Sequence, residues 1–226
     1  MAFTGFTDET FAFYETLQAD NNRAFWQANK HRYQSAVRAP LDALLAELDA
    51  YGPFHVFRPY KDVRFSKEKI PYKDHQGAYG ESEGGAGFYV QVSATGLMAA
   101  TGYYAMASDQ LARFREAVDH DARGREIETV VGALARKGFT AGSIGELKTA
   151  PRGYSRDHPR IALLRRKGLM VFRSWEPAAW MATRTLVTRV RDAWEAGAAM
   201  NAWLDTHVGP STLAPDEDEL ARFGPI

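Results

Sequence analysis

Residues 58–73, RPYKDVRFSKEKIPYK, set six basic side chains (Arg58, Lys61, Arg64, Lys67, Lys69 and Lys73) against two acids, Asp62 and Glu68. Cations ordered this close repel one another, and a bound anion or fixed carboxylates relieve the repulsion. Arg58, Arg64, Lys69 and Lys73 offer guanidinium and ammonium donors beside the hydroxyls of Ser66 and Tyr72. That set suits phosphate or carboxylate, an arginine forking onto two oxygens while lysines add point charge. The competing reading is structural, with Arg64 paired to Asp62 or another buried carboxylate. Alternation over Asp62–Ser66 places Asp62, Arg64 and Ser66 on one face of a strand, so Asp62 is expected to orient Arg64 rather than act as a base.

A second basic island runs from Lys148 to Arg173, where eight bases face Asp157 alone. Its start, KTAPRGYSRDHP, holds Pro151 and Gly153, which predict a tight loop presenting Arg152 and Tyr154 beside Lys148. Asp157-His158 has the residue types of a general base and its orienting acid. Adjacent residues rarely face each other, and the same Asp-His-Pro run serves to cap a helix over Ile161–Leu164, the reading preferred here. The two islands carry local charges of +4 and +7 in a chain of zero net charge, so the remainder is acidic. If they meet, they make one strong positive site.

Other chemistries find little support. The six histidines show no ligand spacing, and no cysteine is present, so no metal is expected and a thiolate nucleophile or disulfide is excluded. Gly77–Gly87 lacks the dinucleotide and Walker frames and reads as a flexible connection, and no serine sits in a nucleophile elbow. No cofactor is called for, and no residue set names a reaction.

Several of these residues recur in a recognisable combination: Asn21-Asn22 with Trp26, Arg58 with D-x-R-F-S-x-x-K-x-P-Y-K over Asp62–Lys73, Gly87-Phe88-Tyr89, and L-K-x-x-P-R-G-Y over Leu147–Tyr154 with Asp157-His158-Pro159. The chain thereby resembles the domain-of-unknown-function family 2461 over most of its length, from about Phe6 to the final helix. Lys61 stands where the family pattern has arginine, which keeps the charge. The resemblance implies a shared fold and a site at these residues, and lends no catalytic residue.

The elements that must position these residues read as α+β, with a helical N-terminal part, a mostly antiparallel sheet and a long C-terminal helix. Phe11, Tyr14 and Leu17 predict a first helix after Thr7-Asp8-Glu9, and Asp20-Asn21-Asn22 breaks it and offers an N-cap for a second carrying Phe25, Trp26, Tyr33 and Val37. Pro40 opens a third, with Leu41, Leu44, Leu45 and Leu48. Phe54–Phe65 reads as extended, and Phe88–Ser93 and Leu97–Tyr103 as a hairpin about Thr95-Gly96. A helix capped by Ser108 precedes one with Ile127, Val130, Val131 and Leu134 that closes at Lys137-Gly138. Leu169–Phe172 reads as a central strand, followed by a long helix from Pro177 to about His207 whose tryptophans are core. Residues 1–208 are expected to form a single domain and 209–226 a loose acidic, proline-containing tail. No apolar run is long enough to span a membrane and no secretory signal is evident, which suits a cytoplasmic address.

Three functions follow in order. The first is a basic pocket, built from Arg58–Lys73 and Lys148–His158, for a small anionic ligand. The others are a protein-interaction module with structural ion pairs, and a nucleic-acid phosphate surface with Tyr60, Tyr72 and Tyr154 for stacking. Zero net charge weighs against the last. No membrane partner is expected, and the sequence leaves the oligomeric state open.

Overall fold

Helix α1 (Asp8–Ala19) buries Phe11, Phe13, Tyr14 and Leu17, and Asp8 and Glu9 in its first turn oppose the positive end of the helix dipole. Helix α2 (Arg23–Arg32) starts where the Asn22 side chain accepts the Phe25 N–H at 2.9 Å. The expected break before Pro40 does not occur. The helix runs on through a π-helical stretch, Tyr33–Arg38, into α3 (Ala39–Ala46). Pro40 cannot donate to the Ala36 carbonyl four residues back, and the buried Thr10 hydroxyl donates to it instead at 2.7 Å. The wider turn lets the chain pass the proline, as the Ala39 N–H bonding to the Gln34 carbonyl shows.

These helices belong to a computed structural model of the protein, which describes residues 2–61, 70–81 and 85–213. Six strands, β1 (Phe54–Val56), β2 (His75–Glu81), β3 (Gly87–Ser93), β4 (Gly96–Tyr103), β5 (Thr140–Gly142) and β6 (Leu169–Trp175), form one antiparallel sheet in the order β1-β2-β3-β4-β6-β5. The fold is α+β, as read from the pattern. Helices α4 (Ser108–Asp119), α5 (Asp121–Arg136), α6 (Ile161–Leu164), α7 (Thr185–Ala196) and α8 (Ala198–His207) complete it. None of the described helices is long and apolar enough to cross a membrane.

Residue contacts divide the chain into two compact units, Met1–Gly80 with Tyr89–Ala99 and Ser174–Asp192, and Glu81–Phe88 with Ala100–Arg173 and Ala193–Ile226. In the first, Phe3, Phe6, Phe13, Tyr14, Leu17, Val37, Leu41 and Leu44 are all buried. Gly5, at φ +120°, lies so close to the Ala182 backbone that a Cβ would sit 2.1 Å from its carbonyl carbon. In the second, Phe114, Val118, Ile127, Leu169, Trp194, Met200 and Trp203 are buried. Asn201 there donates to Thr101, whose hydroxyl donates to the Gly87 carbonyl at 2.9 Å.

The structure corrects several expectations. Gly77–Glu81 is no flexible connection but part of β2, with Gly77 and Gly80 buried. A Cβ at Gly77 would fall 2.5 Å from the Tyr89 hydroxyl, and one at Gly80 would fall 2.4 Å from the Tyr51 carbonyl. These glycines are close-approach sites, the other meaning of glycine in a strand. Of the expected extended run Phe54–Phe65, the described residues form the strand Phe54–Val56 and a bridge at Tyr60, and residues 62–65 lie outside the described residues. Ala107, not Ser108, is the N-cap of α4, and the Gln110 side chain accepts its N–H at 2.9 Å. The long C-terminal helix is three pieces, a 3-10 turn at Ala179–Ala182, then α7 and α8 divided at Gly197. Gly197 leaves room for Thr101, whose methyl group would lie 2.3 Å from a Cβ. Of the expected tail 209–226, residues 214–226 lie outside the described residues; before them, Ser211 and the Thr212 backbone bond to Asp109 at 2.8 Å each. The Thr212 amide contributes most to holding that carboxyl well below the usual range, with Ser211 and Arg113 adding.

Candidate functional site

Beyond β1 the chain carries the first basic segment, and the register shows how it is held. Val56 faces Ala78, and the next paired residues are Tyr60 and Tyr72, so one strand advances four residues while the other advances six. The two extra residues make a bulge. Buried Gln76 fills it, its amide donating to the Phe57 carbonyl at 2.5 Å and the Gly77 carbonyl at 3.1 Å while its oxygen accepts the Tyr33 hydroxyl at 2.6 Å. A side chain thus replaces ladder bonds that the bulge removes.

At Tyr60 and Tyr72 the flanking bonds run from Lys61 N–H to the Pro71 carbonyl and from Lys73 N–H to the Pro59 carbonyl, both 2.8 Å. The two tyrosines are therefore a non-hydrogen-bonded pair, the arrangement that brings facing side chains closest. Their rings lie 5.2 Å apart. Tyr72 stacks on Trp26 of α2 at 4.4 Å and 12°. Its outward N–H and C=O are both taken by the Asn21 side chain, each bond 3.1 Å. Asn21 acts as a one-residue third strand, a role that the helix-break reading of Asp20-Asn21-Asn22 missed.

Around this clamp stand the described cations. Lys73 is half-buried with its ammonium 5.0 Å from the centre of the Phe57 ring, a cation–π contact. Burial first, and the charge of Arg58 second, push its pKa below the ordinary lysine value. Arg58 and Lys61 are exposed. Among the described residues no carboxylate lies within ion-pair distance of Arg58, Lys61 or Lys73. Asp74 is committed to His75, whose Nδ1 lies 2.8 Å from its Oδ1. Burial would raise the Asp74 carboxyl, but the His75 bond and charge, with Lys61 adding, hold it below the ordinary carboxylate range. Tyr72 is buried against Trp26; burial pushes its hydroxyl up, while the charge of Arg23 opposes. Asp62, Arg64, Ser66 and Lys69, with the expected Asp62–Arg64 pairing, lie outside the described residues.

The second island belongs to the other unit. Pro151, Gly153 at φ +91° and the Tyr154 N–H bonded to the Pro151 carbonyl at 3.1 Å form the expected tight turn, with Arg152 and Lys148 exposed. Tyr154 is half-buried edge-on to His158, and burial raises its hydroxyl pKa. His158 is not oriented by Asp157. Its Nδ1 accepts the Arg160 N–H at 3.0 Å, so its proton sits on Nε2 and is donated to Asp119 of α4 at 3.0 Å. Both ring nitrogens are occupied, and the His158 carbonyl also accepts the Ile161 N–H at 3.0 Å. The N-cap of α6 is Arg160 with no side-chain cap bond, so the expected Asp-His-Pro cap is not what holds this helix, and the two occupied ring nitrogens leave no lone pair for a general base.

Further along, Arg160 is buried and closes the C-terminal end of α4, donating to the Val118 carbonyl at 2.7 Å and the Asp119 carbonyl at 2.9 Å. Gly124 makes room for it, since a Cβ there would lie 2.4 Å from its Nε. Arg165 donates to the Leu147 carbonyl at 2.6 Å. Arg160 and Arg165 thus serve backbone carbonyls, while Arg160 also lies 3.4 Å from Asp121 and Arg166 3.6 Å from Glu146. No group of acids and histidines among the described residues could hold a metal ion.

A comparison with protein families matches residues 9–203 to a family of conserved hypothetical proteins, DUF2461. A search of curated proteins found no match.

Proposed function

The chain belongs to the DUF2461 family of conserved hypothetical proteins, and we propose that it binds a small phosphate- or carboxylate-bearing anion on the basic segment Arg58–Lys73. The observation that carries this reading is Lys73, an ammonium group half-buried beside Arg58 with no described carboxylate in reach. Burial and a like charge both disfavour its charged state, and an anion between the two cations reverses both penalties. The clamp of Asn21, Trp26 and Tyr72 fixes the backbone from which Lys73 projects, which is the preorganisation a binding site needs. Arg64 and Lys69 belong to the same proposal by their sequence position. The second island contributes less support, because Arg160 and Arg165 there already serve backbone carbonyls.

Phosphate, sulfate, sugar phosphates and dicarboxylates should raise the melting temperature of the wild type by mass action. Arg58→Ala and Lys73→Met should each lose about 1.5–3 kcal/mol of binding, roughly 10- to 150-fold in affinity. Lys30→Ala, exposed on α2, serves as the control and should behave as wild type. If no anion stabilises the wild type, or if both variants respond as it does, the proposal fails and the interaction-module reading replaces it.

A further inference from the structure

The pairing of Tyr60 with Tyr72 sends their rings to one face of the strand pair and the neighbouring Lys61 and Lys73 to the other. On that second face the Lys73 ammonium lies 5.0 Å from the centre of the Phe57 ring. Phe57 in turn stands 6.3 Å from the ring of Tyr89 in β3, the two planes tilted by 48°. Lys73, Phe57 and Tyr89 are all half-buried, and all belong to the first compact unit. Alternation along β3 sends Val90 and Val92 into the core and leaves Tyr89 and Gln91 on the opposite, half-buried side. The Tyr89 ring is held there: its hydroxyl donates to Gln91 Oε1 at 2.6 Å, and Gly77 of β2 keeps open the space that this hydroxyl fills. A cation and two aromatic rings thus share one face, their positions fixed before any ligand arrives.

We infer that the anion taken by Lys73 is an aromatic acid, its carboxylate or phosphate on the ammonium and its ring stacked on Tyr89. The inference rests on the anion-binding reading and adds the ligand's second half. The ammonium already sits over Phe57, which leaves Tyr89 as the ring partner. Aromatic rings pack with centres roughly 4.5–7 Å apart, the range in which Phe57 and Tyr89 already stand, so a ring tethered to the ammonium by its anionic group comes within reach of Tyr89. An arene gains an offset or edge contact there that a saturated ring of the same size lacks. Its anionic group meanwhile offsets the desolvation of the half-buried ammonium.

The test is equilibrium binding of two matched pairs, benzoate with cyclohexanecarboxylate and phenyl phosphate with cyclohexyl phosphate. In each pair the arene is expected to bind about 2- to 10-fold tighter, the range that one aromatic contact supplies beyond its buried area. Lys73→Met should lose both members of each pair. Tyr89→Leu should bring the ratio within each pair close to one, and Tyr89→Phe, which keeps the ring, should preserve it. In the wild type, NMR should show intermolecular contacts between the benzoate protons and the Tyr89 ring, a readout that does not depend on how well any variant folds. Equal binding within both pairs overturns this inference and leaves the anion site standing. Absence of binding by all four compounds overturns both. A wild-type ratio retained in folded Tyr89→Leu, or benzoate protons that contact other rings and not Tyr89, overturns the stacking assignment.

Discussion

Asn21→Ala removes a side chain that holds the backbone of the basic segment at one residue. Two bonds of 3.1 Å disappear, leaving the N–H and C=O of Tyr72 without partners in a part-buried setting. Two net hydrogen bonds at about 1 kcal/mol each, with a further contribution of the same order from the stranded groups, give a loss of about 2–4 kcal/mol. Urea denaturation should show a lower midpoint at an unchanged slope, because the folded core is otherwise intact. Asn21→Asp separates the two bonds. One carboxylate oxygen still accepts the Tyr72 N–H, while the other meets the Tyr72 carbonyl lone pair against lone pair. Protonation turns that oxygen into a donor, so the folded pKa of the introduced carboxyl should exceed its unfolded value. The stability this group contributes is then full below the unfolded pKa and is lost as pH rises through the folded pKa. Asn21→Asp should accordingly approach wild type in acid and fall towards Asn21→Ala at neutral pH. A loss under about 0.5 kcal/mol for Asn21→Ala, the range of an ordinary surface change, would refute the clamp.

Lys73→Met should raise stability at neutral pH in anion-free buffer, measured by chemical denaturation, even as it removes anion binding. The lysine's folded pKa lies below its unfolded value, so its penalty is complete below the folded pKa and fades as pH climbs to the unfolded one, and the gain of Lys73→Met should shrink in the same alkaline window. Gly124→Ala forces a Cβ to within 2.2 Å of the Val118 carbonyl and 2.4 Å of Arg160 Nε, so it should displace the arginine from α4 and cost about 2–4 kcal/mol in thermal or urea unfolding.

Much of the fold was legible because its signals are local. Asn22 caps α2 through a bond three residues away, Gly138 ends α5, and Thr95-Gly96 turns the β3–β4 hairpin. The basic segment was visible as charge density, and the tight turn at Gly153 as turn chemistry. What escaped depends on partners distant in sequence. Gly77 and Gly80 look like linker residues until Tyr89 and Tyr51 close on them, and Asn21 looks like a helix stop until Tyr72, fifty-one residues on, arrives beside it. The acid that holds His158 is Asp119 rather than its neighbour Asp157, a choice set by where α4 ends. Pro40 reads as a helix start, and only the Thr10 hydroxyl and the π-helical turn explain why the helix passes through it.

The register of the first two strands carries a thermodynamic consequence. β1 is three residues long, lies at the margin of the sheet and, among the described residues, pairs with a β2 that contains two buried glycines. Glycine loses more backbone freedom on ordering than any other residue, so this margin is where backbone amides should lose protection first in hydrogen exchange. Residues 57–74 connect these two strands, yet the clamp at Tyr72 is anchored in α2 and the turn before it. The pairing at Tyr60 and Tyr72 can therefore persist while the adjoining margin opens and closes, and exchange rates at Tyr72 and at Tyr79 should belong to different cooperative units.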